Sequence, residues 1–339
     1  MTLNNLSGTE KIDLLNIGLI AVSFVLALLI PFPLFLFAYA VLGPLHYLTE
    51  ISWLHDRSYF IREARAVKPF IAASIVVSAG ILVGLFSPMF LPSVVYLLFG
   101  GALILAVIEK PSHREKVIVF LFMSAILFTV LQPPLYVMLF TLLIPTVVHV
   151  FFFTAAFMLS GALKSGSRLG LTGFVFLAVA GGSLLFLVPE WAYSPPSRYI
   201  LDSYQPFSAV NATLMSLLAS GERGTYLTAE EVFSSRLGQA VMQFLAFAYT
   251  YHYLNWFSKS RIIGWNQIST SRRSLILGGW IAAVAVYAYD YRVGVQFLFL
   301  LSFLHVLLEF PLNHRSFADI GQRITSALAR QSTAPGPSA

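Results

Sequence analysis

A chain of 339 residues that is 58% hydrophobic and only 11% charged, with a mean hydropathy of +0.78, is not an ordinary soluble globular domain. It has no cysteine, which excludes disulfides, thiolate ligands, iron–sulfur clusters and cysteine nucleophiles. The net charge of +6 is dispersed between long apolar runs, so it does not point to nucleic acid.

The apolar runs are continuous and do not alternate with polar residues, which predicts an all-α, polytopic membrane bundle and argues against a β-barrel. No small-residue cleavage site follows the first run, which is read as a retained span. Pro31-Phe32-Pro33 divides that first stretch into spans at about 14–30 and 34–54. Spans three to seven are expected at about 69–87, 89–108, 117–131, 133–163 and 169–188, and spans eight to ten at about 236–258, 274–289 and 293–313. The segment of about 189–236 is the one sizeable extramembrane insertion. It should carry a helix from Ser208 to near Gly221 and a capping box at Thr228-x-x-Glu231. Residues 1–313 read as one transmembrane domain, and 314–339 as a cytoplasmic tail, disordered after about Arg330.

With about ten spans and both termini on one side, seventeen of the 21 Lys and Arg fall on the side of the termini. Arg198, Arg223, Arg236 and Arg292 fall on the other. The positive-inside rule then puts both termini in the cytoplasm and residues 189–236 outside, with a bacterial inner membrane as the expected location.

Two stretches near opposite ends share a pattern. Leu45-His46-Tyr47-Leu48-Thr49-Glu50 continues to His55 and Arg57-Ser58-Tyr59; Leu304-His305-Val306-Leu307-Leu308-Glu309 continues to His314 and Arg315-Ser316-Phe317. His and Glu four apart share one face of a helix. In the expected topology every intramembrane His and Glu lies on an even-numbered span: His46 and Glu50 on two, His149 on six, His252 on eight, His305 and Glu309 on ten. Counting about 1.5 Å per residue back from the basic anchors, His46, His305 and His252 lie roughly 10–16 Å in and the two glutamates about 9–10 Å. By the same ruler His149 lies deeper, at about 22 Å, unless Pro145 shifts its helix. His55 and His314 point about 180° away from the pairs and are read as interfacial, and His113 as exposed.

A carboxylate inside a membrane helix costs about 2.5–3.5 kcal/mol on insertion scales. No Lys or Arg lies within a predicted span to pair with Glu50 or Glu309, so histidine or a cation must neutralise them. The expected metal ligands are therefore His46, Glu50, His149, His252, His305 and Glu309. This sulfur-free set suits iron first, mono- or dinuclear, with manganese or zinc as alternatives. Tyr249, Tyr251, Tyr253, Asn255 and Trp256 are candidates for supporting hydrogen bonds or a pocket wall.

As a histidine-rich helical membrane protein, the chain loosely resembles the bacterial membrane carotene-cleaving dioxygenases, and the membrane desaturases and hydroxylases. It departs from both in having no His-x2-His or His-x3-His. The resemblance implies oxygen chemistry on a lipid-like substrate and assigns no residue. The expectation is a membrane metalloenzyme that oxidises or cleaves an apolar or lipid substrate from the inner leaflet; no protein partner is specified. The rival readings are a proton- or ion-coupled transporter using the same residues, and a scaffold in which the His–Glu pairs only lock helix packing.

Overall fold

The computed structural model describes residues 6–186, 188, 196–219, 229–259, 264 and 267–332. Within them the chain is all-helical, with no strand. Six helices are long and apolar enough to cross a membrane: α1 (Gly8–Leu29), α2 (Pro31–Asp56), α3 (Ala64–Leu82), α6 (Pro134–Ser165), α7 (Arg168–Phe186) and α13 (Tyr291 onward). The other expected spans are also helical, as α4 (Leu91–Ala106), α5 (Pro111–Leu131), α11 (Arg236–Ser258) and α12 (Thr270–Tyr289). The insertion contributes three short helices, α8 (Arg198–Tyr204), α9 (Ser208–Leu218) and α10 (Ala229–Ser234). Thr228, the first residue of the expected capping box, and residues 333–339 of the tail lie outside the described residues; α13 itself continues to Ser332.

The outer helices expose large apolar side chains, such as Val22 and Val25 on α1, Val119, Phe120 and Met123 on α5, and Val175 and Val179 on α7. A soluble protein does not leave so much contiguous apolar surface to water, whereas hydrocarbon solvates it without cost. The exterior and the long apolar helices fit an integral membrane protein. The centre is polar by comparison. Helix α11 is buried on all sides from Gly238 to Tyr253, although its sequence mixes Gln239, Gln243, Thr250 and His252 with aromatics. A helix buried all round lies in the middle of a bundle. It packs on α1, α2, α6 and α7, while α13 packs on α2, α3, α4, α6 and α12.

Proline shapes two of the site helices. Pro44 has no N–H for the carbonyl four residues back and its ring would clash there. The chain answers with a wide π-wound turn over Ala38–Leu42 just before it. Such a turn leaves carbonyls without intrahelical partners. Neighbouring helices supply donors nearby: Trp280 Nε1 donates to the Val41 carbonyl at 2.8 Å, and Tyr291 Oη to that of Leu36 at 3.1 Å. In α6 the π-wound stretch is longer, Leu139–Phe153, and contains both Pro145 and His149. Helix α13, by contrast, passes through Pro311 without a break.

The two repeated stretches diverge after their His–Glu pairs. The first helix ends at Asp56, and Ser58, Tyr59 and Phe60 take left-handed backbone angles (φ 49°, 53° and 57°). Arg315-Ser316-Phe317 simply continue α13. The likeness of the two segments is therefore one of sequence, and it becomes one of structure only over the His–Glu turn.

Gly43 is the tight point beside the site. A Cβ there would lie 2.9 Å from Tyr47 Oη and 3.2 Å from Tyr253 Oη, two phenols that hydrogen-bond at 2.9 Å. Gly43→Ala should therefore displace the buried phenol pair and destabilise the protein by about 1–3 kcal/mol. A drop in the thermal midpoint of purified protein, absent in Gly101→Ala where the added Cβ meets open space, is the expected result.

Candidate metal centre

Four helices each bring one histidine to the bundle axis: His46 from α2, His149 from α6, His252 from α11 and His305 from α13. All four are buried, and one nitrogen of each lies within 4.8 Å of the others. His46 Nε2 and His252 Nε2 are 3.0 Å apart; His305 Nε2 and His149 Nε2 are 3.2 Å apart. The rings meet mostly edge to face, with centroids 4.6–5.3 Å apart. The depth ruler set His149 apart because it took all basic anchors to stand at one height, whereas α6 runs on as regular helix from Thr154 to Ser165 and carries Lys164 farther from the cluster.

The carboxylates join the same centre, each 1% exposed. Glu50 Oε2 is 3.0 Å from His46 Nε2, the partner one turn away on its own helix. Glu309 Oε2 instead sits 3.0 Å from His149 Nδ1 on another helix. The sequence suggested two equivalent His–Glu pairs; the structure makes one local and one cross-helix.

Surrounding groups fix three of the rings. Thr154 Oγ1 lies 2.7 Å from His252 Nδ1, which turns the other nitrogen of that ring toward His46. Tyr47 stacks on His305 at 4.2 Å with 24° between planes, and Tyr253 packs beside His46 at 5.2 Å. Trp256 donates its indole N–H to Thr49 Oγ1 at 2.9 Å and lies edge-on to His46. Of the other aromatics expected near the site, Tyr249 packs on Phe35 and Tyr39 and lines a cavity next to the cluster, whereas Tyr251 faces away, donating to Asn16 Oδ1 at 3.2 Å. Asn255 lines the larger chamber described below.

His55 and His314 stay out, as their rotation predicts. His314 Nε2 meets the Phe99 carbonyl at 2.9 Å, and His55 is exposed beside Tyr59. His113 is exposed as well.

As a hydrogen-bond network the centre does not close. His46 Nδ1 is buried without a hydrogen-bond partner among the described residues, which costs about 1–3 kcal/mol. Glu50 Oε2, Glu309 Oε2 and His149 Nδ1 meet only other members of the cluster. A cation fits this donor set. At metal–nitrogen bonds of about 2.1 Å, imidazole nitrogens lie about 3.0 Å apart when at right angles and about 3.4 Å apart when tetrahedral. The two measured separations of 3.0 and 3.2 Å fall in that range. Two carboxylates would balance a divalent charge where the surroundings are apolar.

Two cavities flank the cluster. A chamber of about 1170 Å³ is floored by His46, Glu50, His252 and Glu309 and walled in part by Arg57, Arg315 and Lys259. On the other side, a smaller cavity of about 230 Å³ is lined by Phe35, Tyr39, Tyr204 and Phe207 and reaches His149, His252 and His305. His252 borders both.

Lys259 was legible in the sequence only as a topological anchor. It sits just past the end of α11, half-buried, and burial pulls its ammonium down to about 8, with Asp13 acting weakly in the opposite direction. An unfolded lysine titrates near 10.4, so between about pH 8 and 10 the unfolded state holds the extra proton and Lys259 adds to stability as pH rises. Amine acylation read by mass spectrometry should show Lys259 reacting half-maximally near pH 8; a profile rising only above pH 10 would contradict the burial. Comparison of the chain with protein-family models, with curated proteins and with solved structures found no match to any of the three.

Proposed function

We propose that this protein is a membrane-embedded metalloenzyme whose centre is a single divalent ion held by His46, His149, His252 and His305. Glu50 and Glu309 balance its charge from the chamber floor, Glu50 beside His46 and Glu309 beside His149. The convergence of four buried imidazoles from four helices with two carboxylates is the observation that carries the reading. Imidazole and carboxylate without sulfur suit iron first, with manganese or zinc as alternatives. Bound there, a redox-active ion would supply activation of O₂ or water. The class of reaction is oxidation or cleavage of a lipid-like molecule. It is supported by the aromatic cavity against three of the histidines, which exceeds the roughly 150 Å³ that suffices for benzene in an engineered cavity. We further place the protein in a bacterial inner membrane with about ten spans and both termini cytoplasmic. That placement rests on the helices at all ten expected positions and on the basic residues around the larger chamber.

The roles of this chain's own residues follow from their contacts. Thr154 holds His252 in one ring orientation, and the stacking of Tyr47 does the same for His305. The aromatic wall of the small cavity keeps water from the outer side of the cluster. Glu50, whose carboxylate lines the chamber beside His46, is placed to accept a proton from a molecule entering there.

One observation favours a carrier instead: His252 borders both cavities, so the cluster could act as the occluded point of a pathway. Metal content separates the two. Protein purified without added chelator should contain about one metal ion per chain by elemental analysis, with an EPR or absorption signature identifying it. Each of His46→Ala, His149→Ala, His252→Ala and His305→Ala should lose it. Thr154→Val should retain the ion but bind it about 10–100-fold more weakly. Substoichiometric metal in the wild type, with ion transport after reconstitution in liposomes, would replace the enzyme with the carrier.

A further inference from the structure

The larger chamber has a charge pattern that membrane topology alone does not explain. Besides the carboxylates of its floor, its wall carries Arg57, Arg62, Lys110, Lys164, Lys259 and Arg315 against only Glu109 and Asp319. Arg62 is paired with Glu109 at 2.7 Å. Arg315 donates to the Ala106 carbonyl and lies near Asp319. Arg57 stacks its guanidinium over Trp53 at 5.5 Å. Among the described residues, Arg57, Lys164 and Lys259 make no ion pair.

The positive-inside rule asks only that basic residues lie on one side of the membrane, and convex loops satisfy it. Arg65 and Lys68, on the same side, are not among the chamber's lining. Cations gathered on the wall of a concave chamber focus their field there and favour an anion within it. Lys259 adds a local reason, because a half-buried ammonium that forms no ion pair, with Asp13 offsetting its burial only in part, is costly until an anion neutralises it.

Building on the metalloenzyme reading, we propose that the chamber binds the anionic group, a carboxylate or phosphate, of an amphiphilic molecule presented to the His cluster from the basic side. Arg57, Lys164 and Lys259 hold the anion. The floor, with His46 and His252 of the cluster, meets the part of the molecule next to its head, and the apolar remainder lies beyond. The substrate class thereby narrows from any apolar lipid to one with a single anionic head.

The test uses the full chain in phosphatidylcholine nanodiscs, with and without chelation of metal, and calorimetric titration with decanoate, decanol and inorganic phosphate. Decanoate should bind about tenfold or more tightly than decanol, as expected for one or more charge-assisted hydrogen bonds. Arg57→Gln combined with Lys164→Gln, both exposed side chains whose loss should not disturb folding, should remove about that factor, and Lys259→Gln should do likewise. Arg65→Gln, outside the chamber, should change nothing. Phosphate binding as tight as decanoate would keep the anion site but make its ligand a free solution anion, overturning the amphiphile. Equal binding of decanoate and decanol, or a double variant that binds like the wild type, would overturn the anion site itself. Because the chelated arm contains no metal, decanoate binding that persists there supports the chamber even if the metal reading fails. Binding abolished by chelation and indifferent to the three cations would place the anion on the metal and sink the inference.

Discussion

Everything in this bundle is arranged around the cost of burying two carboxylates and four imidazoles with no basic side chain paired to them. A helix carrying Glu50 or Glu309 alone would insert at a penalty of a few kcal/mol. The fold answers by bringing the two glutamates to the same four-histidine centre, where a single cation would compensate both. That explains an otherwise inverted architecture. The outer helices are the apolar ones, and the central α11 is the helix with glutamines, threonine and histidine on it. In lipid the driving force for helix association is packing and polar contact rather than removal of apolar surface from solvent. The polar centre is thus also what selects this packing of helices over others.

The second constraint is geometric. Four side chains from four helices can meet within 4.8 Å only if each helix presents its histidine at the right height and rotation. Two of the four use proline to do it. Pro44 and Pro145 each disturb α-helical hydrogen bonding close to a histidine, and in both helices a π-wound stretch absorbs the disturbance. An extra residue in a turn rotates everything beyond it, so the same event that satisfies the proline also sets the direction of His46 or His149. The carbonyls disturbed near Pro44 are used as well, since Trp280 and Tyr291 bond there and tie α2 to α12 and α13.

Much of the centre could be read from the sequence because its signals were local. Histidine and glutamate inside apolar runs stand out against a background with no other charge, and the four-residue spacing gives their common face. Counting from the basic anchors brought His46, His252 and His305 to one layer without any coordinates. The failures came where the information is not local. The ruler misplaced His149 because it took Lys164 to stand at the height of the other anchors, whereas regular helix from Thr154 to Ser165 carries that lysine farther from the cluster. The pairing of Glu309 with His149 rather than with His305 depends on how α6 and α13 cross, which no residue spacing encodes. The matching Arg-Ser-aromatic triplets suggested a longer shared unit than exists, because the left-handed turn at Ser58–Phe60 has no counterpart at Ser316. Lys259 looked like any anchor at a helix end, and only the chamber around it shows why its charge matters.

The position of the cluster between two unlike cavities bears on what the centre can do. A site that served only to staple helices would be best sealed on every side, since each opening admits water to compete for its polar groups. Here one side opens to a large cation-walled chamber and the other to a small aromatic one, with His252 common to both. The two carboxylates belong to the charged side, and three of the histidines to the aromatic side. The carboxylates thus line the chamber together with His46 and His252, while His149 and His305 line the aromatic space with His252. A purely structural cluster has no use for that polarity. An enzyme of the kind proposed above, keeping an apolar reactant dry on one side and exchanging protons on the other, would use it.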